Sequence, residues 1–488
     1  MRIALGLLLA GTLTATPAYS QVLPAAPSVG LPASSSVAPA TTLLGLRVET
    51  APEGVTLKLE LTGGVLVKDE SDASACRLRL VGLSPYQLPL FSQPTTDKIL
   101  PELRWEQDGA DPILVMPWKY RLPLHVIPEG TTRLTVLLDK VFTEASDRTV
   151  APGLRYRFMR RGTPDGPLSI HVLAVNPKAP GIRIAPALAE NKGRFGLEPV
   201  SRIAQRQGAI AAVNGAYFGR GGMPLGLLMI RGELLTGPIY ARTALVLGAA
   251  GPVIERSATA AMLELPGGQS VEVDGVNQPR WDEQIVLYTE RYGERTRTEA
   301  KGRSFEAAVQ NGRVIAVGSA DLPIPPGGFV VSAMGGSADW LERALPVGTA
   351  VAMKSTLPDV YEGVEHVIAG GPRLLEGGSP KLTTEAERFQ ADVAKGRAPR
   401  TAVGITPSGE LLVVAVDGRD PKASMGLTLP ELASLMQELG AKDALNLDGG
   451  GSTTFYLEGK TLNHPSDGVE RSVSNALCIW SDAVQAGP

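Results

Sequence analysis

The 488-residue sequence predicts an α+β or mixed α/β catalytic domain with a β-rich insertion, preceded by a small all-β domain. Three observations predict it. Residues 43–150 alternate apolar and polar side chains at strand period, as in LRVETAPEGVTLKLEL, CRLRLVGL and RLTVLLDKVF. Residues 250–360 show the same texture in VEVDGVN, QIVLYTERYG and GGFVVSA. Between the strand runs RTAVGITPSGELLVVAVDG (400–418) and LNLDGGGSTTFYLEG (445–459) lies TLPELASLMQELGA, whose apolar positions Leu432, Leu435, Met436 and Leu439 fall on one helical face.

The elements follow in order along the chain. MRIALGLLLAGTLTATPAYSQ reads as a signal peptide over residues 1–20: Arg2 is the charged start, Ile3 to Leu13 the apolar stretch, and Ala18-Tyr19-Ser20 a small-x-small cleavage site. The apolar stretch is too short for a stable membrane span, so the expected location is secreted, periplasmic or cell-envelope, without stable membrane insertion after cleavage. Residues 21–42, rich in Ala, Pro and Ser, read as a disordered linker. The β domain at 43–150 carries no constellation of chemical groups; a cell-envelope attachment module and a packing spacer both fit. Residues 151–488 form the catalytic body. Within it SRIAQRQGAIAAVNGAYF (201–218) reads as helix, turn and buried strand, and VQNGRV as a two-residue hairpin on Asn311-Gly312. Thr428 and Glu431 make a capping box for the helix over 428–441, and Gly440 stops it.

Net charge is -3 at pH 7, with 20% charged residues. That balance speaks against a nucleic-acid partner, which normally brings a basic surplus. The two cysteines, Cys76 and Cys478, lie far apart, and two buried free thiols are the expected state. No spacing of His, Cys, Asp or Glu marks a metal site; a divalent cation such as calcium, held by carboxylates and carbonyls, stays open as an auxiliary.

The chemistry concentrates in glycine-rich loops at strand ends. In ALNLDGGGSTTFYLEGK, Asp448 precedes Gly449, Gly450, Gly451 and Ser452. A hairpin needs one or two glycines; three suggest a backbone left bare so that a ligand can reach its amides. Those amides should keep Asp448 ionised, which suits a nucleophile or general base, and Asp417 in VVAVDGR is the second candidate carboxylate. Asn214 in AVNGAYF has an amide that can grip two sugar hydroxyls. Gly370 and Gly371, before Pro372, form an open loop. Arg400, Arg419 and Arg471 are candidate anion clamps, because a guanidinium donates two parallel bonds to phosphate. His366 and His464 lie near these motifs.

Five stretches together resemble the phosphodiester glycosidase family: AAVNGAYF (211–218), IAGGPRLL (368–375), RTAVGITPSGELLVVAVDGR (400–419), GLTLPELASLMQELGAKDALNLDGGGSTT (426–454) and RSVSNAL (471–477). The resemblance covers roughly residues 165–485, and the β stretch 250–360 fits bacterial members. It implies hydrolysis of a sugar-1-phosphodiester at the anomeric carbon, on a small molecule or a cell-wall polymer, with Asp448 as nucleophile or base and the arginines and glycine loop on the phosphate. It also places the Gly370-Gly371 loop at the pocket edge. A non-catalytic envelope glycan-binding protein and a hydrolase of ordinary glycosidic bonds remain as alternatives.

Overall fold

The computed structural model describes residues 41–86, 88, 93–257, 260–356 and 363–483. The expected signal sequence, and all of the expected linker but Thr41 and Thr42, lie outside these residues. Two sheets come first. One runs in the order Leu43–Thr50, Gly54–Leu61, Arg133–Asp139, Leu124–Glu129; the other in the order Leu66–Asp69, Ala75–Val81, Asp111–Pro117, Glu102–Asp108, Gln93–Pro94. Their inward residues, among them Leu57, Leu59, Leu78, Leu114 and Val136, share one core, as the period-2 alternation requires.

An eight-stranded antiparallel sheet carries most of the site. Its order is Phe142–Ala151, Leu154–Thr163, Gly166–Val175, Leu411–Val416, Arg400–Ile405, Asp443–Asn446, Arg373–Glu376, Ser379–Pro380. One face packs on the helix Leu429–Glu438 through Leu429, Leu432, Leu435 and Met436. The other face packs on two five-stranded sheets. The first runs Ile182–Leu188, Asn475–Ser481, Ala211–Asn214, Phe455–Leu457, Lys460–Thr461; the second runs Glu233–Thr236, Leu228–Ile230, Val364–Ala369, Thr243–Gly248, Gly251–Arg256. Val403, Leu445, Val213, Phe455, Leu477, Leu245 and Ile368 meet in that shared core. The β-rich region 250–360 supplies two further sheets, closed by the helix Gly335–Ala344 over Ala338 and Leu341.

The expected fold class is therefore corrected: strands make up 48% of the described residues and helices 10%, and the fold is neither α+β nor mixed α/β. The misreading has a local cause. Strands 411–416 and 443–446 are joined through the helix Leu429–Glu438 and flank strand 400–405, so this one stretch carries an α/β texture. Neither flanking strand pairs with the other, because 400–405 runs antiparallel between them. Elsewhere strands connect mainly by turns, and only Gly275–Val276 with Ile285–Thr289 is a parallel pair among the strand pairings described.

Local expectations hold where backbone chemistry dictates them. Asn311 and Gly312 both adopt positive φ, 51° and 72°, and Gln310 pairs Arg313 across them, as a type I′ hairpin demands. Thr428 caps its helix, with the Glu431 carboxylate accepting from the Thr428 N–H at 2.7 Å. Cys76 and Cys478 are buried free thiols in separate cores; burial pushes the first up to about 11 and the second to about 12.

Leu445 is fully buried in the shared core one residue before the segment that leads to Asp448. Leu445→Ala is expected to lower unfolding free energy by about 2–5 kcal/mol, read as a lower urea midpoint at unchanged slope.

Candidate active site

Strand Asp443–Asn446 ends at the edge of the shared core, and the chain leaves it through Leu447 into the Asp448 turn. Two bonds from a neighbouring sheet fix that turn. The Asp448 N–H donates to the Gly215 carbonyl at 3.1 Å, and Asn214 Nδ2 donates to the Asp448 carbonyl at 2.6 Å. Asn214 Oδ1 accepts from Thr401 Oγ1 at 2.7 Å and from the Thr454 N–H at 3.2 Å. Asn214 is fully buried. Its amide is occupied by the protein itself, so it positions the carboxylate and does not present donors to a sugar.

The Asp448 carboxylate accepts the Gly449 N–H at 2.9 Å and a hydroxyl bond from Ser452. These bonds and Arg471 favour the charged form, but burial among protein atoms outweighs them and pushes the carboxyl up to about 6. The amides thus act in the expected direction without prevailing. The group keeps a half-buried edge, as the floor of a depression would show, and is mostly ionised at pH 7.

The three glycines have a steric role that the sequence only half reveals. The Gly450 N–H donates to the Pro399 carbonyl at 2.9 Å, so the Gly449 and Gly450 amides are consumed within the turn and do not form an open nest. A side chain at Gly450, whose φ is +61°, would meet Arg419 Nη2 at 3.1 Å; one at Gly451 would meet Arg471 Nη2 at 2.1 Å. The bare turn therefore lets two guanidiniums lie against it. Both are half-exposed. Arg471 gives Nε and Nη2 to the Asp467 carboxylate at 3.0 and 2.7 Å, and Arg419 donates to Ser466 Oγ at 3.3 Å from a backbone at φ 64°.

Arg400 differs from both. It is buried and has no ion pair among the described residues; Nε donates to the Leu427 carbonyl at 2.9 Å and Nη2 to the Gly396 carbonyl at 2.5 Å. Its charge is held by carbonyls alone, and Nη1 makes no hydrogen bond among the described residues. Arg400 shares the field of the Tyr217 hydroxyl with Asp448 and Arg242. That hydroxyl donates to the Gly371 carbonyl at 3.1 Å and accepts from Asn446 Nδ2 at 2.8 Å. Gly371, at φ 96°, has no room for a Cβ beside Glu387, and Gly370 packs on the Asn446 carbonyl. Burial drives the Tyr217 phenol far up, so it stays a neutral hydrogen-bonding group. Tyr217, Asn446 and Arg242 were not singled out in the sequence. Tyr217 sits within AAVNGAYF and Asn446 two residues before Asp448, so proximity to motifs was a usable signal for those two.

Asp417 lies apart in role. Oδ1 accepts from Asn463 Nδ2 at 3.1 Å and from the His464 N–H at 3.0 Å, and Oδ2 faces His171 Nε2 at 3.8 Å. It anchors the 463–464 loop from a buried position. His464 is exposed. His366 lines a cavity of about 1150 Å³ with Trp480 and Glu365. That cavity contains none of Asp448, Tyr217 or Arg400, and strand Val364–Ala369 runs from it toward Gly370, so volume and chemistry part company here. Among the described residues no three His, Cys, Asp or Glu side chains converge as a metal site would need.

Residues 303–480 match the family model described as phosphodiester glycosidase. Over these residues the chain is similar to the phosphodiester glycosidase family. That stretch holds Asp448, Arg400, Gly371 and Asn446, while Asn214, Tyr217 and Arg242 come from outside it. The N-acetylglucosamine-1-phosphodiester alpha-N-acetylglucosaminidase of Mus musculus is 38% identical over 93 residues, 18% of this chain and 18% of that protein. A SPbeta prophage-derived uncharacterized protein of Bacillus subtilis, YomE, is 34% identical over 120 residues, 25% of this chain and 18% of that protein. The chain thus spans less than a fifth of these curated relatives. In fold it is similar to a hypothetical protein from Synechocystis, with a TM-score of 0.64 at 24% identity, over 90% of this chain and 80% of that one.

The raised carboxyl gives a stability signature. The folded value, about 6, lies above the unfolded value of about 3.9, so the folded state binds the proton more tightly and ionised Asp448 destabilises the fold. That cost is absent below pH about 4 and complete above about 6. Asp448→Asn, which keeps the shape without the charge, is expected to melt at a higher temperature than wild type at pH 8. The difference should fade on acidification through this window and vanish near pH 4. An Asn variant less stable than wild type at pH 8 would contradict the assignment of a strained, ionised carboxylate.

Proposed function

We propose that the protein is an exported hydrolase that cleaves a sugar-1-phosphodiester at the anomeric carbon, releasing free sugar and a phosphomonoester. The observation that carries this reading is that an ionised carboxylate and two guanidiniums, Asp448, Arg400 and Arg242, all act electrostatically on one phenol, Tyr217, with neither guanidinium in an ion pair among the described residues. Cations without an ion-pair partner, one buried and one half-buried, suit an anionic substrate with a reacting carbon next to the anion. The signal sequence expected at residues 1–20 supports export.

A phosphate leaves far more readily than a sugar alkoxide, so general-acid assistance is a small requirement. Asp448 attacks the anomeric carbon or activates the water that does, and its negative charge steadies the oxocarbenium-like centre. Tyr217, neutral throughout, spends its hydroxyl proton on the Gly371 carbonyl and so holds the Gly370-Gly371 loop beside the carboxylate. Hydrolysis of ordinary glycosidic bonds would call for a second carboxylate across the bond from the first. The two buried acids nearest these elements are poor fits. Asp417 is bonded to Asn463 and His464, and Glu387 accepts from Thr243 N–H and Oγ1, from the Thr383 hydroxyl and from the Arg373 N–H.

Asp448→Asn is expected to lower turnover of a sugar-1-phosphodiester about 10²–10⁴-fold. In wild type, activity should fall as pH drops through about 6, where the carboxylate gains its proton. A substrate panel that pairs each sugar-1-phosphodiester with the aryl glycoside of the same sugar tests the reaction class. Preference for the glycoside would remove this reading.

A further inference from the structure

Arg242 has no place in any sequence motif, yet its surroundings are built. The guanidinium lies over the ring of Phe389 at 4.1 Å and over that of Tyr217 at 5.7 Å. Nε makes a long bond of 3.5 Å to the Glu387 carbonyl. Among the described residues neither Nη makes a hydrogen bond, and no carboxylate lies within ion-pair distance. Stacking satisfies the flat face of the group and leaves its outer edge, with its N–H donors, unspent. The main chain beside it is held in a sparsely populated region: Tyr240 and Ala241 on one side, and Arg388 next to Phe389 on the other, have φ of 53°, 46° and 54°. Such conformations cost free energy and persist only where the surroundings enforce them, most often at sites. Glu387, with its hydrogen bonds from Thr243, Thr383 and Arg373, anchors the loop that carries Phe389.

We infer that Arg242, braced on Phe389, is the specificity-determining contact of the site: its free edge takes the phosphate of the substrate opposite Arg400 Nη1, across the Tyr217 hydroxyl, and so separates phosphate-bearing glycosides from neutral ones. This rests on the sugar-1-phosphodiester reading above. It moves the phosphate clamp from the half-exposed pair on the glycine turn to two guanidiniums that form no ion pair among the described residues. Arg471, committed to Asp467, and Arg419 at the rim then shape the entrance. Burial also draws the Arg242 guanidinium below its ordinary value, as it would for a cation whose counter-charge arrives with the ligand.

The test compares wild type, Arg242→Met, Arg242→Lys and Phe389→Leu in two measurements: Michaelis constants on a sugar-1-phosphodiester, and inhibition constants for the two products, the free sugar and the phosphomonoester. Arg242→Met should raise the Michaelis constant and the phosphomonoester inhibition constant about 10–100-fold, the range for a lost hydrogen bond to a charged group, and leave the free-sugar constant unchanged. Arg242→Lys, which keeps charge but loses the fork, and Phe389→Leu, which loosens the brace, should shift the same two constants by smaller factors. Either serves if the Met variant does not fold. Equal weakening of both products marks Arg242 as a structural residue and overturns the assignment. Unchanged constants in Arg242→Met, with wild type active on the phosphodiester, overturn it while the reaction stands. A wild type that cleaves no sugar-1-phosphodiester sinks the reaction itself and the assignment with it.

Discussion

Asn214 makes three hydrogen bonds where no solvent reaches, to the Asp448 carbonyl, the Thr401 hydroxyl and the Thr454 N–H, and the placing of the Asp448 carboxylate depends on them. The three partners belong to different parts of the chain: the turn after strand Asp443–Asn446, the strand Arg400–Ile405 and the approach to Phe455–Leu457. One side chain thus joins two sheets at the point where the site opens. A buried amide that lost a single partner would retain an unsatisfied polar atom, at a cost of about 1–3 kcal/mol. All three elements are consequently held in one register. The tie explains how a turn of three glycines, with its large entropy on unfolding, can hold a carboxylate in a fixed direction.

The charges around that turn fall into two groups of different consequence. Arg471 and Asp467 form a half-exposed ion pair, of a kind that adds little to stability and is screened by salt. Arg400 and Arg242 are set deeper. One is held by main-chain carbonyls and the other by aromatic faces, arrangements that keep a cation in place without neutralising it. Asp448 is raised by the same burial. Burial thus opposes the charged form of groups of both signs here. That is tolerable because the surrounding sheets share a large core.

Much of this was legible in the sequence where one residue type meets one backbone requirement. Asn311-Gly312 specified its hairpin, Thr428 and Glu431 their cap, and the run from Asp448 to Ser452 marked the turn. What stayed hidden was long-range. The purpose of Gly450 and Gly451 depends on Arg419 and Arg471, which arrive from elsewhere in the chain. Asn214 read as a sugar ligand because nothing in AVNGAYF shows that Thr401 and Thr454 will enclose it. Asp417 read as catalytic for the same reason, since its partners Asn463 and His464 come from a later loop. Arg242 lies in a stretch with no motif, and its role follows from Phe389, 147 positions on. The fold class failed because one helix-containing crossover was taken as the pattern of a body whose strands pair almost throughout with antiparallel neighbours.

Which bond breaks is decided most directly by hydrolysing a sugar-1-phosphodiester in water enriched in oxygen-18 and weighing both products. Attack at the anomeric carbon, guided by Asp448, puts the label in the free sugar and none in the phosphomonoester. Label in the phosphomonoester would mean attack at phosphorus, and would contradict a glycosidase mechanism at this site.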